Sequence, residues 1–126
     1  MENLNKKILI VDDDKAFLWI LRQSLESAGF SVSFAEDGEN GLEMAEKEKP
    51  DLILLDILMP KMDGIEVAKG LKEKGIKLKI IFLTNLKDIE HMSQAVEITK
   101  ETDYIVKTET PIDQIIVRVK DRLGIK

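Results

Sequence analysis

A single α/β domain built on a doubly wound parallel sheet is the fold class this sequence predicts, and three observations predict it. Apolar runs of four or so residues alternate five times with stretches of helical periodicity, the order of strand and helix units on a parallel sheet. The runs Ile8–Val11, Leu52–Leu55 and Ile80–Leu83 are continuously apolar rather than alternating, as in strands covered on both faces. The length of 126 residues suits one domain, with no linker, internal repeat or low-complexity segment to divide it. Residues 1–126 are therefore expected to form one domain with no second unit.

Strands are predicted near 7–11, 31–35, 51–56, 79–84 and 103–107, and helices at about 15–28, 39–48, 64–74, 87–100 and 111–123. The first helix follows the acidic run Asp12-Asp13-Asp14 and closes at Gly29, where a left-handed cap costs little. On it, Phe17, Leu21, Ser24, Leu25 and Ala28 share one stripe at helical spacing that should face the sheet. Lys15, Leu18, Trp19 and Arg22 fall on another face, which leaves the sole tryptophan partly exposed. Asp37-Gly38 turns the chain into the second helix, and Pro50 marks the approach to the third strand.

The loop after the third strand carries Met59 and Met62 around Pro60 and Lys61, both methionines read as packing residues, and Gly64 admits a tight turn into the third helix. Gly75 closes that helix. The fourth helix holds the only histidine, His91, which has no partner at ligand spacing and is expected to be a solvated surface residue. The fifth helix has the clearest start: Thr110 can accept from the amide of Asp113, Pro111 suits the first helical position, and Asp113 lies in the favourable first turn.

Composition removes several function classes. There are no cysteines, which excludes disulfides, thiolate metal sites and cysteine nucleophiles. No apolar run approaches the roughly 20 residues that span a bilayer, and Met1 to Lys7 is too polar for a secretory signal, so a cytoplasmic protein without membrane contact is expected. A formal net charge of −5 argues against bulk affinity for nucleic acid.

The chemistry lies at the ends of the apolar runs. Asp12 and Asp13 follow the first strand, Asp56 the third, Thr84 the fourth and Lys107 the fifth, so a parallel sheet would deliver all of them to one crevice outside its carboxyl edge. Three carboxylates gathered there repel one another and take up protons unless a cation sits among them. Oxygen ligands alone suit a hard ion, and Mg²⁺ with waters and a substrate phosphate fits best. Lys107 offers a compact positive charge to a phosphoryl group and the Thr84 hydroxyl a hydrogen bond, which is most of what phosphoryl transfer requires.

The segments ILIVDDD, DLILLDILMPKMDG, IIFLT and DYIVK, in this order over nearly the whole chain, resemble the response-regulator receiver domain of two-component signalling. The resemblance implies a flavodoxin-like (βα)5 fold with strand order 2-1-3-4-5. It implies that Asp56 is the phosphoacceptor, a phosphoacceptor module rather than an enzyme. Asp12, Asp13, Asp56 and the backbone carbonyl of Leu58 would bind Mg²⁺, Thr84 and Lys107 would contact phosphoryl oxygens, and Tyr104 would be the switch aromatic. The implied partners are a sensor histidine kinase or a histidine phosphotransfer protein, together with an unidentified downstream protein target. The output surface would lie near the fourth helix, fifth strand and fifth helix. With no output domain after the fifth helix, a stand-alone receiver in a phosphorelay is expected. The face of the first helix bearing Leu18 and Trp19 resembles the receiver surface that docks on the kinase helix bundle.

Some positions depart from the family pattern. Thr108 follows Lys107 where proline is usual, so that peptide bond is expected to be trans. Asn85 stands where a small residue usually follows the threonine, and Lys100-Glu101-Thr102-Asp103 replaces the usual Gly-Ala step. Leu58 and Leu86 occupy positions where a polar group can place an attacking water, which predicts slow autodephosphorylation. Two competing readings are weighed against this one. Asp12-Asp13-Asp14 satisfies the Asp-x-Asp of haloacid dehalogenase phosphohydrolases, but the expected Gly-Thr is replaced by Lys15-Ala16 and Asp56 is left without a role. A pseudo-receiver usually loses one of the five site residues, and none is lost here.

Overall fold

The computed structural model describes residues 4–84, 93, 97 and 103–125. Within them β1 (Lys7–Val11), β2 (Ser31–Ala35), β3 (Leu52–Asp56), β4 (Lys79–Thr84) and β5 (Tyr104–Val106) form one sheet in the order β2-β1-β3-β4-β5. Every neighbouring pair is parallel, as predicted. Helices α1 (Lys15–Ser27), α2 (Gly38–Glu48) and α3 (Gly64–Glu73) and a C-terminal helix (Ile112–Arg122) complete the described elements. Of the predicted fourth helix only residues 93 and 97 are described; its remaining residues, His91 among them, lie outside the described residues with Asn85, Leu86 and residues 100–102.

Alternation along the three central strands builds two cores from one sheet. Ile8, Ile10, Leu52, Leu54, Ile81 and Leu83 point to the face covered by Leu18, Leu21 and Leu25 of α1 and by Ile115 and Val119 of the C-terminal helix. Leu9, Val11, Ile53, Leu55, Ile80 and Phe82 point to the opposite face, under Ala45 of α2 and Ile65, Val67, Ala68 and Leu71 of α3. Successive connections run away from β1 toward β2 on one side and from β3 toward β4 on the other. The strand order therefore reverses between β1 and β3, the place where such sheets open a crevice at their carboxyl edge.

Caps fix the helix starts that border this crevice. Asp14 caps α1 by accepting from the Phe17 amide at 3.2 Å, and Asp37 caps α2 by accepting from the Asn40 amide at 2.8 Å. Asp63 and Glu66 form a reciprocal capping box at α3. Gly29 and Gly75 take left-handed conformations after α1 and α3, as expected; Lys49 does the same after α2, where nothing in the sequence signals it. The C-terminal helix starts one residue later than predicted. Pro111 has an extended ψ of 151° and is itself the N-cap, with no side-chain hydrogen bond, so the Thr110 cap is not formed. Among the described residues no peptide bond is cis, and Lys107–Thr108 is trans as predicted.

Leu18 requires a correction. It is 5% exposed and belongs to the core beneath α1, because Leu18, Leu21 and Leu25 form the i, i+3, i+7 stripe that faces the sheet. Phe17, assigned to that stripe from the sequence, lies at its margin and is only partly buried. Leu18 is therefore unavailable for docking, whereas Trp19 is 62% exposed.

Gly64 has a reason other than turn conformation. A Cβ there would lie 2.2 Å from the Asp56 carbonyl oxygen and 3.0 Å from the Ile57 Cα, and the Gly64 amide donates to the Ile57 carbonyl at 2.8 Å. Both obstacles are backbone, so any side chain must move the loop that leaves Asp56. Gly64→Ala is expected to destabilise the protein by about 1–3 kcal/mol, measured by urea unfolding; an unchanged midpoint would show that the loop yields freely.

Candidate functional site

Each polar residue expected at a strand end is held there by the sheet itself. The Asp12 amide donates to Ala35 O at 3.1 Å just beyond β1, and the Ile57 amide donates to Leu83 O at 3.0 Å just beyond β3. The Lys107 amide donates to Thr84 O at 2.8 Å, which ties the residue after β5 to the last residue of β4. Parallel register therefore brings residues about 95 positions apart in sequence to one edge.

Asp12, Asp13 and Asp56 each present a carboxylate oxygen within 4.8 Å of the others, the group among the described residues with the geometry to hold a metal ion. Asp12 and Asp56 are buried, and Asp13 is exposed at the mouth. Lys107 Nζ lies 2.8 Å from Asp12 Oδ2 and 3.9 Å from Asp56 Oδ2, a hydrogen-bonded ion pair with the first and a looser one with the second. The other Asp12 oxygen accepts from the Asp14 amide at 2.9 Å. Thr84 is buried at the end of β4, one strand over from Asp56.

Burial sets the protonation of this pocket. Desolvation pushes Asp56 up from an ordinary value of 3.8 to about 8, the negative charge of Asp12 pushes the same way, and Lys107 opposes both. Asp12 is also raised by burial, against its hydrogen bond from Lys107 and the Asp14 amide. An all-oxygen donor set that resists ionising by itself fits a hard divalent cation, which would restore the negative form.

The three consecutive aspartates divide the work. Asp12 turns inward, Asp13 faces the mouth, and Asp14 caps α1, so the Asp-x-Asp arrangement of a hydrolase is not built: its second aspartate is engaged with the helix. Leu58 and Tyr104 are both exposed. Met59 is buried and Met62 packs against the same core, as read from the sequence. Two contributors escaped sequence reasoning. Phe17 places its ring 4.6 Å from Lys107 Nζ, and Gly38 lets the loop approach, since a Cβ there would lie 2.3 Å from the Met62 carbonyl oxygen. Neither has a local signal, because both partners are distant in sequence.

Residues 8–120 match the family described as response regulator receiver domain. The chain is 41% identical over 117 residues to the alkaline phosphatase synthesis transcriptional regulatory protein PhoP of Bacillus subtilis (strain 168), covering 93% of this chain and 48% of that protein. It spans about half the length of the curated relatives it matches. Among solved structures it is similar to a CheY-like response regulator receiver domain protein from Methanospirillum hungatei JF-1, with TM-score 0.85, 32% identity and 94% of each chain covered. It is also similar to the BeF3-activated DrrB receiver domain, with TM-score 0.80, 30% identity, and 94% of this chain and 97% of that one covered. Receiver domains are phosphoacceptor signalling modules rather than classical enzymes, and they work with sensor kinases or phosphotransfer proteins. A phosphoacceptor module calls for an acidic pocket at the switch point of a parallel sheet with a lysine across it, and both are present: this chain belongs to the response regulator receiver domain family of two-component signalling.

Proposed function

We propose that Asp56 accepts a phosphoryl group from a phosphohistidine of a sensor kinase or phosphotransfer protein in a Mg²⁺-dependent reaction. The observation that carries this reading is the gathering of three carboxylates within 4.8 Å of one another, two of them facing Lys107, whose Nζ is 2.8 Å from Asp12 and 3.9 Å from Asp56. Asp12, Asp13, Asp56 and the carbonyl of Leu58 would hold Mg²⁺, which supplies charge neutralisation for the incoming phosphate. In its ionised form Asp56 uses a carboxylate oxygen to form the O–P bond as the P–N bond breaks, and the electron pair leaves with the imidazole nitrogen. Lys107 and the Thr84 hydroxyl bind the phosphoryl oxygens as charge redistributes among them.

Tyr104, on β5 three residues before Lys107, is the switch aromatic in this reading, and signalling passes through the surface of β5 and the C-terminal helix to a protein target. Trp19 on α1 is the docking anchor for the kinase partner; an exposed tryptophan beside polar neighbours is a common interface hot spot. With its net negative charge this domain makes no contact with nucleic acid of its own, and it works in the cytoplasm without a membrane.

Replacing Asp56 with Asn should abolish phosphorylation by acetyl phosphate and binding of beryllofluoride, read by mass spectrometry of the intact protein. Modification appearing on Asp12 instead would contradict the assignment. The same substitution tests the buried charge. Because burial lifts Asp56 to about 8, the folded metal-free protein keeps a proton there that the unfolded chain releases above its ordinary 3.8. This group's contribution therefore becomes unfavourable as pH rises from about 4 and reaches its full cost above about 8. Asp56→Asn should gain stability over wild type by on the order of 2 kcal/mol at pH 8.5, with the difference shrinking toward pH 4.5; urea unfolding at both pH values with EDTA measures it. For the lifetime, exposed Leu58 offers no group to hold an attacking water. Leu58→Asn should accelerate loss of the aspartyl phosphate severalfold, and identical decay curves would dismiss slow autodephosphorylation by this route.

A further inference from the structure

We infer that Phe17 is a positioning residue for the phosphoryl-binding lysine, holding the Lys107 ammonium over the pocket when a metal ion takes the carboxylate it otherwise pairs with; this rests on the phosphoacceptor reading above. The ammonium lies 4.6 Å from the centroid of the Phe17 ring. It also lies 2.8 Å from Asp12 Oδ2 and 3.9 Å from Asp56 Oδ2. Lys107 thus has two kinds of neighbour, carboxylates on one side and an aromatic face on the other.

The ring is set there by helix geometry. Asp14 fixes the first turn of α1 by accepting from the Phe17 amide at 3.2 Å, and this turn begins directly after Asp12 and Asp13. Leu18, Leu21 and Leu25 supply the buried stripe, so Phe17 is free of the main packing task and sits at the core's margin. An aliphatic side chain would fill the same space. Only an aromatic one offers a face with negative potential to a cation.

The two contacts respond differently to metal. A divalent cation bound by the three carboxylates needs an oxygen from Asp12, and in this structure Oδ2 of that residue is engaged by Lys107. Metal and ammonium therefore compete for Asp12. A displaced lysine on a flexible four-carbon stem has many solvent rotamers open to it. The ring contact involves no carboxylate and survives the competition, which keeps the ammonium where a phosphoryl oxygen on Asp56 would meet it. Phe17 acts through Lys107 and touches no reacting atom, so its role is positioning.

The test compares the wild-type chain with Phe17→Leu, which keeps an apolar side chain, and Phe17→Tyr, which keeps the ring. With Mg²⁺ and acetyl phosphate, Phe17→Leu should phosphorylate about threefold to tenfold more slowly at saturation, and Phe17→Tyr should recover most of the wild-type rate. Independently of activity, the Lys107 ε-methylene protons of the metal-free protein should be shifted upfield by the ring in wild type and Phe17→Tyr, and not in Phe17→Leu, by NMR. Wild type accepting beryllofluoride on Asp56 while Phe17→Leu reacts at the wild-type rate would overturn the inference. So would equal slowing in both variants, which would mean bulk packing alone. Should Phe17→Leu fail to fold, ε-methylene protons of wild type at their unshifted position would overturn it on their own. Failure of wild type to take up beryllofluoride at Asp56 would instead overturn the phosphoacceptor reading.

Discussion

Two buried carboxylates at adjacent strand ends, opposed by the Lys107 ammonium, are the constraint on which the structure of this site depends. Neither Asp12 nor Asp56 would be tolerated in an apolar interior alone, since an unpaired buried charge costs far more than a surface ion pair returns. Here Lys107 compensates Asp12 closely, at 2.8 Å, and Asp56 only loosely, at 3.9 Å. The better-paired carboxylate already has its partner, and the poorly paired one is left with a proton, its affinity raised to about 8. The pocket is consequently under-charged on the positive side. A hard cation would relieve that deficit, so the property that destabilises the resting pocket is the one that makes it receptive to such an ion.

The rest of the fold supplies what holds so unfavourable an arrangement together. Apolar residues on both faces of β1, β3 and β4 anchor the three strands that carry Asp12, Asp56 and Thr84, and parallel hydrogen bonds fix how far each strand projects. Close backbone approach does the remaining work at the loop. With no side chain at Gly38 or Gly64, Met62 and Asp56 can bring their carbonyl oxygens to positions a Cβ would occupy. The segment from Ile57 to Asp63 is thereby pinned at both ends, so the geometry around Asp56 is set by rigid neighbours rather than by the loop's own preferences.

Much of this was legible in the sequence because the strands are buried on both faces and the functional residues sit at their ends. A continuous run such as Leu52–Leu55 has no alternative register that keeps its side chains dry, and the polar residue that ends it is conspicuous. Helix phase was harder to read. Phe17 and Leu18 are both apolar and adjacent, so a periodic pattern accommodates either as the inward residue, and only the packing of α1 against the sheet selects Leu18. Pro111 posed a similar ambiguity, since its fixed φ suits both the N-cap and the first helical position, and its ψ decides. Gly64 was recognisable as necessary but not for its reason, because the atom it avoids belongs to a residue eight positions earlier.

Strand β5 links the pocket to the C-terminal helix. It is a three-residue edge strand, and its ladder to β4 alone would leave it weakly held. Its end is tied to β4 through the Lys107 amide and Thr84 O at 2.8 Å. Its start is tied to the C-terminal helix, where Asp103 pairs with Arg118 and with Arg122, and Arg118 also donates to Tyr104 O at 3.0 Å. These ion pairs are partly buried, with the shared Asp103 side chain 19% exposed, and their geometry matters more than their energy. With the Lys107 amide hydrogen bond they clamp at both ends a strand that would otherwise fray. Lys107, Tyr104 and the two arginines of the helix are thereby joined in one contiguous set of contacts from the pocket to the surface.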